Sequence, residues 1–388
     1  MDCERIKRLP PYILGEITER MMAARRAGDD IINLGMGNPD LPTPDFIVNK
    51  LIEAARNPRN HRYSVSKGIL GLRTALAEWY ARRYEVTLDP QSEIVVTMGS
   101  KGGITHAVMA MVAPGDLVFV PAPTYPIHTY AAIIAGAEPY PIPLTGGAAH
   151  FLEAWKSAIA AAGTRATLGI LSFPANPTTM TVDLDFFREA VAIATHYELP
   201  LIHDLAYTDL VFDGYTAPSL LQVPGAKEIA IECFTMSKSY SMPGWRVAFC
   251  AGNRAILHAL ARLKSYVDYG IFQPIQIAAT VALREGDTAV RDIAEVYRRR
   301  RDALCDGLTR AGWPIAPPQA TMFVWAEIPE RHRAEGSMAF AKRLIDEAAV
   351  AVSPGIGFGQ AGEGFVRFAL VENEHRIRQA VRNIRRLL

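Results

Sequence analysis

The 388-residue chain is 49% apolar and 21% charged, and its net charge is +1. A chain of this length is too long to fold around one ordinary hydrophobic core. Its near-neutral charge gives no indication of a nucleic-acid or membrane-surface partner. Its four cysteines, Cys3, Cys233, Cys250 and Cys305, are far apart, and its nine histidines lack metal-ligand spacing. We therefore expect a two-lobed globular protein with neither a disulfide framework nor a metal site.

The N-terminal segment is charged throughout and lacks the apolar core of a signal peptide. No stretch reaches the roughly 18 uncharged apolar residues that a membrane-spanning helix needs. These two features predict a cytoplasmic protein that does not associate with membranes.

Short apolar runs alternate with amphipathic helical stretches in the middle of the chain. These runs predict strands at Ile94–Met98, Leu117–Val120, Thr167–Leu171, Leu201–His203, Ala230–Thr235 and Val247–Ala251. Helices are predicted at Gly103–Val112, Phe186–Tyr197 and Arg254–Val267. Strands that are apolar throughout are buried on both faces, so the alternation predicts an α/β fold with a mainly parallel sheet flanked by helices.

The pattern changes near Asp287. A long amphipathic helix is predicted from there to Ala311, followed by the helix breakers Gly312 and Pro314. Shorter apolar runs at Met322–Ile328, Ala349–Val352 and Phe365–Leu370, with a helix at Ser337–Ala348, predict a smaller α+β domain. We assign residues 46–286 to a large domain, and residues 1–45 and 287–388 to a small domain with an N-terminal arm.

Five predicted strands are followed by loops with unusual polar residues. They are Gly99-Ser100-Lys101-Gly102-Gly103, the segment 121–126 with Tyr125, the segment 173–179 with Asn176, Asp204-Leu205-Ala206-Tyr207, and the segment 236–246 with Lys238. Each loop alone has an ordinary explanation as a turn, a helix cap or a solvated lysine. Ligands of open α/β sheets bind beyond the carboxyl ends of the strands, so the five loops together predict one shared site.

One end of that site has the groups that a phosphorylated aldehyde needs. A glycine-rich turn before a helix, with Ser100, Ser237 and Arg246, is suited to a phosphate. The amine of Lys238 can form a Schiff base with the aldehyde.

The other end suits a pyridine ring. Asp204 can keep the pyridine nitrogen protonated, so that the ring accepts electrons. Asn176 and Tyr207 can donate to the phenolic oxygen, and Tyr125 can stack on the ring. Together these requirements are those of pyridoxal 5'-phosphate (PLP), and Lys238 is predicted to carry it.

The chain resembles the class I and II, fold-type I, PLP-dependent aminotransferases over nearly its whole length. The resemblance lies in Ser237-Lys238, Gly244-Trp245-Arg246, Asp204–Tyr207, Asn176-Pro177-Thr178, Arg367 within Phe365–Leu370, Leu34–Asp40 and Tyr63–Gly68. The longer runs IHDLAYTDLVFDG, SPGIGFGQAG and RLKSYVDYG resemble the bacterial alanine (glutamate–pyruvate) aminotransferases. The family implies a seven-stranded type of sheet in a large PLP-binding domain, and a smaller α+β domain.

The resemblance also implies residue roles. Lys238 is then the Schiff-base lysine and the proton shuttle, with Asp204, Asn176 and Tyr207 around the ring. The residues implied at the phosphate are Ser100, Lys101, Thr235, Ser237 and Arg246. Relatives often have serine at the position of Thr235, and both residues carry a hydroxyl.

Arg367 is implied to bind the substrate α-carboxylate, together with Asn176, and Gly37 lets the backbone approach it. Tyr63 is implied to reach the phosphate of the neighbouring subunit, which predicts a homodimer with shared sites.

The expected function is ping-pong transfer of an amino group between a small amino acid, alanine first, and a 2-oxo acid such as 2-oxoglutarate or pyruvate. LL-diaminopimelate or aspartate aminotransferase and a PLP-dependent C–S lyase are the alternatives. An acidic substrate needs a second cation, for which Arg5, Lys7 and Arg262 are candidates.

Two other protein classes fit poorly. A nicotinamide-dependent dehydrogenase is suggested only by the GxGxxG pattern at Gly357–Gly362, which a strand-like run follows where a helix is required. A non-enzymatic regulator with the PLP-enzyme fold usually carries an additional DNA-binding segment, and we expect none in this sequence.

Overall fold

The structure is a computed structural model that describes residues 4–10 and 13–388. Cys3 and the side chain of Arg5 lie outside the described residues. The strands are β1 (Ile32–Asn33), β2 (Ile94–Met98), β3 (Leu117–Ala122), β4 (Glu138–Pro143), β5 (Ala166–Leu171), β6 (Leu201–Asp204), β7 (Ala230–Thr235), β8 (Val247–Gly252), β9 (Phe323–Glu327), β10 (Val350–Ala351), β11 (Ser353–Pro354) and β12 (Phe365–Ala369).

The α-helices differ widely in length, from single turns to the long helix α13. They are α1 (Glu4–Lys7), α2 (Ile13–Ala27), α3 (Asp45–Ala55), α4 (Leu70–Tyr84), α5 (Gly99–Met111), α6 (Pro126–Ala135), α7 (Gly147–Ala162), α8 (Leu184–His196), α9 (Ala226–Ile229), α10 (Met236–Ser239), α11 (Arg254–Val267), α12 (Gln273–Glu285), α13 (Asp287–Arg310), α14 (Glu330–Arg333), α15 (Ser337–Ala348) and α16 (Glu374–Ile384).

The main sheet has seven strands in the order β2-β8-β7-β6-β5-β3-β4. Strand β8 runs antiparallel to its neighbours β2 and β7, and the other adjacent pairs are parallel. The predicted fold class is therefore confirmed. The predicted bounds of β2 and β7 agree with the structure, and the other four predicted strands extend by one or two residues.

Strand β4 is absent from the strands that the sequence pattern predicts, and its prolines explain why. Pro139, Pro141 and Pro143 alternate along it, and proline lacks the N–H that a central strand needs. β4 lies at the sheet edge, and the N–H of Glu138 donates to the carbonyl of Asp116 at 2.8 Å on the side of β3. Backbone groups of successive residues point to opposite sides, so the prolines face the outer edge, where they block further pairing.

Alternate residues of the sheet pack into two cores on its opposite faces. Val96 lies in the core that includes residues of α3, α4, α7, α8 and α12. Val95 lies in the core formed with residues of α5, α6 and α11. A sheet covered on both faces exposes its carboxyl edge, where loops can form a site.

A third core lies among the C-terminal elements. It combines residues of α13, α15, α16, β9 and β12 with Ile17, Ile32 and Leu34 from the N-terminal segment. Strands β11, β12 and β9 form an antiparallel sheet, and β1 pairs with β10 in parallel. The domain boundaries given above remain a prediction.

Cys233, Cys250 and Cys305 are buried free thiols. Within residues 4–10 and 13–388, no three histidine, cysteine or acidic side chains are grouped so that they could hold a metal ion. The helices of this same part of the chain are all too short or too polar to cross a lipid bilayer.

Candidate active site

One cavity of about 220 Å³ lies at the carboxyl ends of β2, β5, β6 and β7. All predicted site residues except Tyr63 line it. The lining residues are Met36, Gly37, Ser100, Lys101, Tyr125, Ser172, Asn176, Asp204, Ala206, Tyr207, Thr235, Ser237, Lys238, Pro243, Arg246, Phe323, Phe358 and Arg367.

The first helical turn of α5 forms the positively polarised end of the cavity. The helix begins at Gly99, four residues before its predicted start, so the N–H groups around Ser100 belong to a helix N-terminus. Gly99 has a φ of 75°, and a methyl group on it would overlap the guanidinium of Arg246. Arg246 donates from Nη1 to the carbonyl of Pro243 at 3.0 Å. A helix N-terminus and a guanidinium in contact can hold a phosphate.

Thr235 organises the loop after β7. Its hydroxyl accepts a hydrogen bond from the N–H of Ser237 at 3.3 Å and caps α10. The same hydroxyl donates to Oγ of Ser237 at 3.0 Å. Thr235 therefore orients Ser237 towards the cavity as well as lining it.

Asp204 presents one satisfied and one unsatisfied carboxylate oxygen. Oδ2 lies 3.0 Å from Nε2 of His128, and Nδ1 of that histidine lies 2.6 Å from Oγ1 of Thr124. Oδ1 is buried and has no hydrogen-bond partner among the described residues. A buried acceptor without a donor is unfavourable. A protonated pyridine nitrogen would supply that donor, so the residues present fit PLP.

His128 is a site residue that the sequence analysis missed. It lies four positions after Thr124, across the start of α6, so both side chains reach the same face. In the sequence, only this four-residue spacing beside a strand-end loop could have pointed to His128. The spacing identifies a site residue only once Asp204 is known to face the histidine.

Lys238 extends its amine into the cavity. Nζ donates to the carbonyl of Gly37 at 3.0 Å. Burial lowers the pKa of this amine to about 8, and the positive charges of Arg367 and Arg246 add to the effect. A substantial fraction of the amine is therefore neutral near pH 8, as a nucleophile or base must be.

Asn176 and Tyr207 meet on the opposite wall. Nδ2 of Asn176 donates to the phenol oxygen of Tyr207 at 3.3 Å. Burial raises the pKa of Tyr207 well above its ordinary value. The phenol therefore keeps its hydrogen and can donate it to a ligand oxygen.

Arg367, on β12, is buried between two aromatic rings. Its guanidinium carbon lies 4.0 Å from the ring centre of Phe323 and 4.6 Å from that of Phe358. Nη1 donates to Oδ1 of Asn176 at 2.7 Å, and Nη2 donates to the carbonyl of Gly35 at 3.2 Å. Stacking and hydrogen bonds hold the planar fork in one orientation, which suits a carboxylate.

The two phenylalanines were not identifiable from the sequence, and Gly37 is explained by one of them. A methyl group on Gly37 would lie 2.7 Å from Cε1 of Phe323 and 3.7 Å from Nη2 of Arg367. Phe358 ends a 3₁₀ turn within the glycine-rich segment 355–362. That segment consists of two short 3₁₀ turns followed by β12, and so lacks the strand–turn–helix arrangement of a dinucleotide site.

Tyr125 and Lys101 lie together at the mouth of the cavity. Lys101 is exposed, and its Nζ lies 5.8 Å from the centre of the Tyr125 ring. Tyr125 precedes α6 and lies edge-on to His128, with ring centres 6.0 Å apart. The phenol ring thus borders the space in front of Asp204.

Tyr63 is the predicted site residue that this structure does not bring to the cavity. Its side chain is 93% exposed and contacts the ring of Tyr269 edge-on. Tyr63 and Tyr269 belong to a set of exposed apolar side chains that we call the aromatic patch. Its members are Tyr63, Val65, Tyr266, Val267, Tyr269 and Phe272.

Comparisons with known proteins agree with this geometry. The family model for aminotransferase class I and II matches residues 29–384. Glutamate-pyruvate aminotransferase AlaC of Escherichia coli K12 is 53% identical over 381 residues, which cover 98% of this chain and 92% of that protein. LL-diaminopimelate aminotransferase of Moorella thermoacetica is 42% identical, and the match covers 100% of this chain and 98% of that protein. The solved structure of apo-BacF from Bacillus subtilis has a TM-score of 0.93 at 33% identity, with 100% and 98% covered.

The family match extends over most of the chain, and the resemblance predicted from the sequence is confirmed. The predicted cofactor and reaction class are confirmed with it, because enzymes of this class use PLP to move amino groups between amino acids and 2-oxo acids. The chain belongs to the class I and II aminotransferase family and is a PLP-dependent transaminase.

Proposed function

We propose that this transaminase exchanges an amino group between alanine and 2-oxoglutarate, with pyruvate and glutamate as the products. The observation that carries the proposal is the 53% identity, over nearly the whole chain, to a glutamate–pyruvate aminotransferase. The cavity wall next to Arg367 is apolar, with Met36, Phe323 and Phe358, and therefore suits a methyl side chain.

In this proposal the cofactor phosphate is held by the N-terminus of α5 with Ser100, Ser237 and Arg246. The supporting observations are the contact of Arg246 with Gly99 and the capping of α10 by Thr235. Oδ1 of Asp204, which has no donor among the described residues, would accept a hydrogen bond from the ring nitrogen.

Asn176 and Tyr207 would hold the phenolic oxygen of the cofactor, and Tyr125 would cover its ring. The hydrogen bond between Asn176 and Tyr207 supports this arrangement, as does the burial that keeps the phenol protonated. Both side chains therefore point donors at one location.

PLP, once bound, supplies an electron sink that makes the Cα–H bond of the amino acid acidic. Nζ of Lys238 is the base that takes the Cα proton and the acid that returns a proton on the way to the 2-oxo acid. Its lowered pKa, about 8, suits both directions of transfer near neutral pH. The carboxylate of Asp204 would keep the ring nitrogen of the cofactor protonated. Arg367 would hold the α-carboxylate of the substrate so that its Cα–H bond faces Nζ of Lys238.

Glutamate carries a second carboxylate, and we propose Lys101 as its partner. The described cations that line the cavity are Lys101, Lys238, Arg246 and Arg367, and the last three have the roles given above. Lys101 is exposed at the cavity mouth beside Tyr125, where an ω-carboxylate can reach it without desolvation of a buried ion. This role of the Lys101 side chain is added to the phosphate role expected from the sequence, which its backbone N–H in the first turn of α5 can still fill.

We also propose that the enzyme is a homodimer in which Tyr63 reaches the cofactor phosphate of the neighbouring subunit. Large apolar side chains are rarely exposed together on a monomer; the six members of the aromatic patch are exposed, and the rings of Tyr63 and Tyr269 are in contact. Tyr63 is the most exposed member of the patch. Sedimentation analysis of the Tyr63→Phe variant should show that it remains dimeric. A titration of its apoenzyme with PLP should show weaker binding than in the wild type.

Transfer to LL-diaminopimelate is the second candidate. It is favoured by several full-length relatives of that name, of which one is 42% identical. A larger substrate would have to extend past the exposed side chains of the cavity lining, such as Met36 and Lys101.

A panel of amino acids with 2-oxoglutarate as acceptor separates the two candidates. We expect alanine to have the highest kcat/KM, and pyruvate to accept the amino group of glutamate in reverse. Lys101→Gln should raise KM for glutamate and 2-oxoglutarate and leave KM for alanine nearly unchanged. Slow turnover of alanine together with fast turnover of LL-diaminopimelate would contradict the proposal.

A further inference from the structure

A fully buried histidine–carboxylate pair lies between two strands that end at the cavity. His203 on β6 and Glu232 on β7 are directly opposite each other in the parallel ladder. Nδ1 of His203 lies 2.8 Å from Oε1 of Glu232, and both side chains are 0% exposed. Neither residue lines the cavity, and none of the roles proposed above uses them.

Glu232 is surrounded by donors. Oε2 accepts from the phenol of Tyr80 at 2.9 Å and from the hydroxyl of Ser219 at 2.6 Å. Oε1 accepts from the backbone N–H of Leu220 at 2.9 Å, in addition to its contact with His203. Hydrogen bonds of this number compensate a buried carboxylate for lost water. Because an ionised carboxylate only accepts hydrogen bonds, Nδ1 of His203 carries the hydrogen between them.

With hydrogen on Nδ1 alone, Nε2 of the His203 ring is an acceptor. In this tautomer the backbone N–H of Phe173 donates to Nε2 at 3.3 Å. The carbonyl oxygen of Phe173 lies 3.1 Å from Nε2 and would accept from it only in the other tautomer, so the tautomer is the property to measure. The ladder between β5 and β6 ends at the pair Leu171 and His203. The imidazole therefore provides a partner for a buried N–H two residues beyond the end of the ladder.

Phe173 begins the segment that delivers Asn176 to the cavity, and Oδ1 of Asn176 accepts from Arg367 at 2.7 Å. His203 is also the immediate chain neighbour of Asp204. We propose that His203, oriented by Glu232, is a positioning residue that sets the location of Asn176 and, through it, the orientation of Arg367 for the substrate carboxylate. This inference rests on the roles proposed above for Asn176 and Arg367.

The kinetic experiment compares His203→Phe, His203→Gln and Tyr80→Phe in the PLP-loaded enzyme. His203→Phe should raise KM for alanine by about 5- to 10-fold, the loss of roughly one buried hydrogen bond, with kcat changed less than KM. His203→Gln should recover part of this, because its amide oxygen can accept from Phe173. Tyr80→Phe is the matched control, because it removes a donor from the other oxygen of Glu232 and should leave KM unchanged even if the melting temperature falls.

A second measurement does not depend on activity. In ¹⁵N-histidine-labelled holoenzyme, the signals of His203, identified by their loss in His203→Gln, should show a neutral ring with hydrogen on Nδ1. Glu232→Gln should keep that tautomer, because the backbone N–H of Leu220 requires the amide oxygen at the Oε1 position, and the hydroxyls of Tyr80 and Ser219 can accept from the amide N–H₂. A wild-type ring with hydrogen on Nε2 overturns the inference, whatever the kinetics of the variants.

Asn176→Ala separates failure of this inference from failure of the proposed roles. If Asn176→Ala raises KM and His203→Phe does not, the positioning role of His203 is wrong and the role of Asn176 stands. If Asn176→Ala leaves KM unchanged, the role of Asn176 is wrong and the inference falls with it. Equal kinetic losses in Tyr80→Phe and His203→Phe, in proportion to their loss of stability, also overturn it.

Discussion

Oδ1 of Asn176 accepts a hydrogen bond from Nη1 of Arg367 at 2.7 Å, although the two residues are 191 positions apart in the chain. Asn176 follows a central strand of the main sheet, whereas Arg367 lies on β12 near the C-terminus. In the proposed arrangement, this contact joins the wall that would face the cofactor to the wall that would face the substrate carboxylate. Substitutions of either residue should therefore change KM for the substrate more than they change kcat.

Arg367→Lys should raise KM for alanine by about 10- to 100-fold, because a point charge replaces a bidentate fork and loses its stacking on Phe323 and Phe358. Steady-state kinetics with alanine and 2-oxoglutarate measure this effect. Arg298→Lys is the control, since that arginine is paired with Glu295 on the surface of α13 and should tolerate the change. An Arg367→Lys enzyme with wild-type KM for both substrates would exclude Arg367 as the carboxylate partner.

Gly37→Ala should also weaken substrate binding, but for a steric reason. The added methyl group would lie 2.7 Å from the Phe323 ring, which must shift and take Arg367 with it. Adding Phe323→Leu should restore part of the affinity by making room for the methyl group. This compensation, measured as KM in the single and double variants, distinguishes a steric effect from a loss of backbone flexibility, which the second substitution would not repair.

Asp204→Asn should lower kcat by at least about a hundredfold, because a neutral amide no longer holds a proton on the cofactor ring. It should have little effect on the melting temperature of the apoenzyme, since Oδ1 makes no hydrogen bond there among the described residues. Scanning calorimetry and steady-state kinetics test the two parts separately. A large loss of apoenzyme stability with nearly normal kcat would show that the carboxylate has a structural role.

The interior strands of the main sheet could be predicted because their burial on both faces leaves a clear record of apolar, β-branched residues. Ile94–Met98 and Ala230–Thr235 are examples in which the predicted and observed bounds agree. The edge strand Glu138–Pro143 could not, because an edge position tolerates alternating prolines that would exclude it from a sheet interior. The early start of α5 was missed for a related reason, since four residues of its first turn include two glycines.

The site residues could be predicted from the sequence where a single side chain meets one requirement of the cofactor by its own chemistry. Lys238, Asp204 and Arg246 are examples, because each lies at or near the end of a strand and matches a separate requirement of PLP. His128, Phe323 and Phe358 could not be predicted, because their roles depend on which side chains they meet across the fold. The His203–Glu232 pair has the same character, since a buried histidine within a strand gives no sign of its partner.

The nucleophilicity of Lys238 should depend on pH in a way that reports its surroundings. Burial and two nearby arginines lower the pKa of the amine from 10.5 to about 8. The neutral fraction therefore rises as pH increases through 8, and the rate at which the apoenzyme gains covalently bound PLP should rise between pH 7 and pH 9. Arg367→Gln removes one repelling charge, so the midpoint should shift to higher pH.

The absorbance of protein-bound cofactor, followed after apoenzyme and PLP are mixed at a series of pH values, measures this dependence. Lys238→Ala is the control, and it should gain no covalently bound cofactor and have no multiple-turnover activity. A wild-type midpoint near the ordinary lysine value, or a midpoint that Arg367→Gln leaves unmoved, would contradict the electrostatic account. The upward shift is the sharper test, because burial alone would lower the pKa of the amine equally in both proteins.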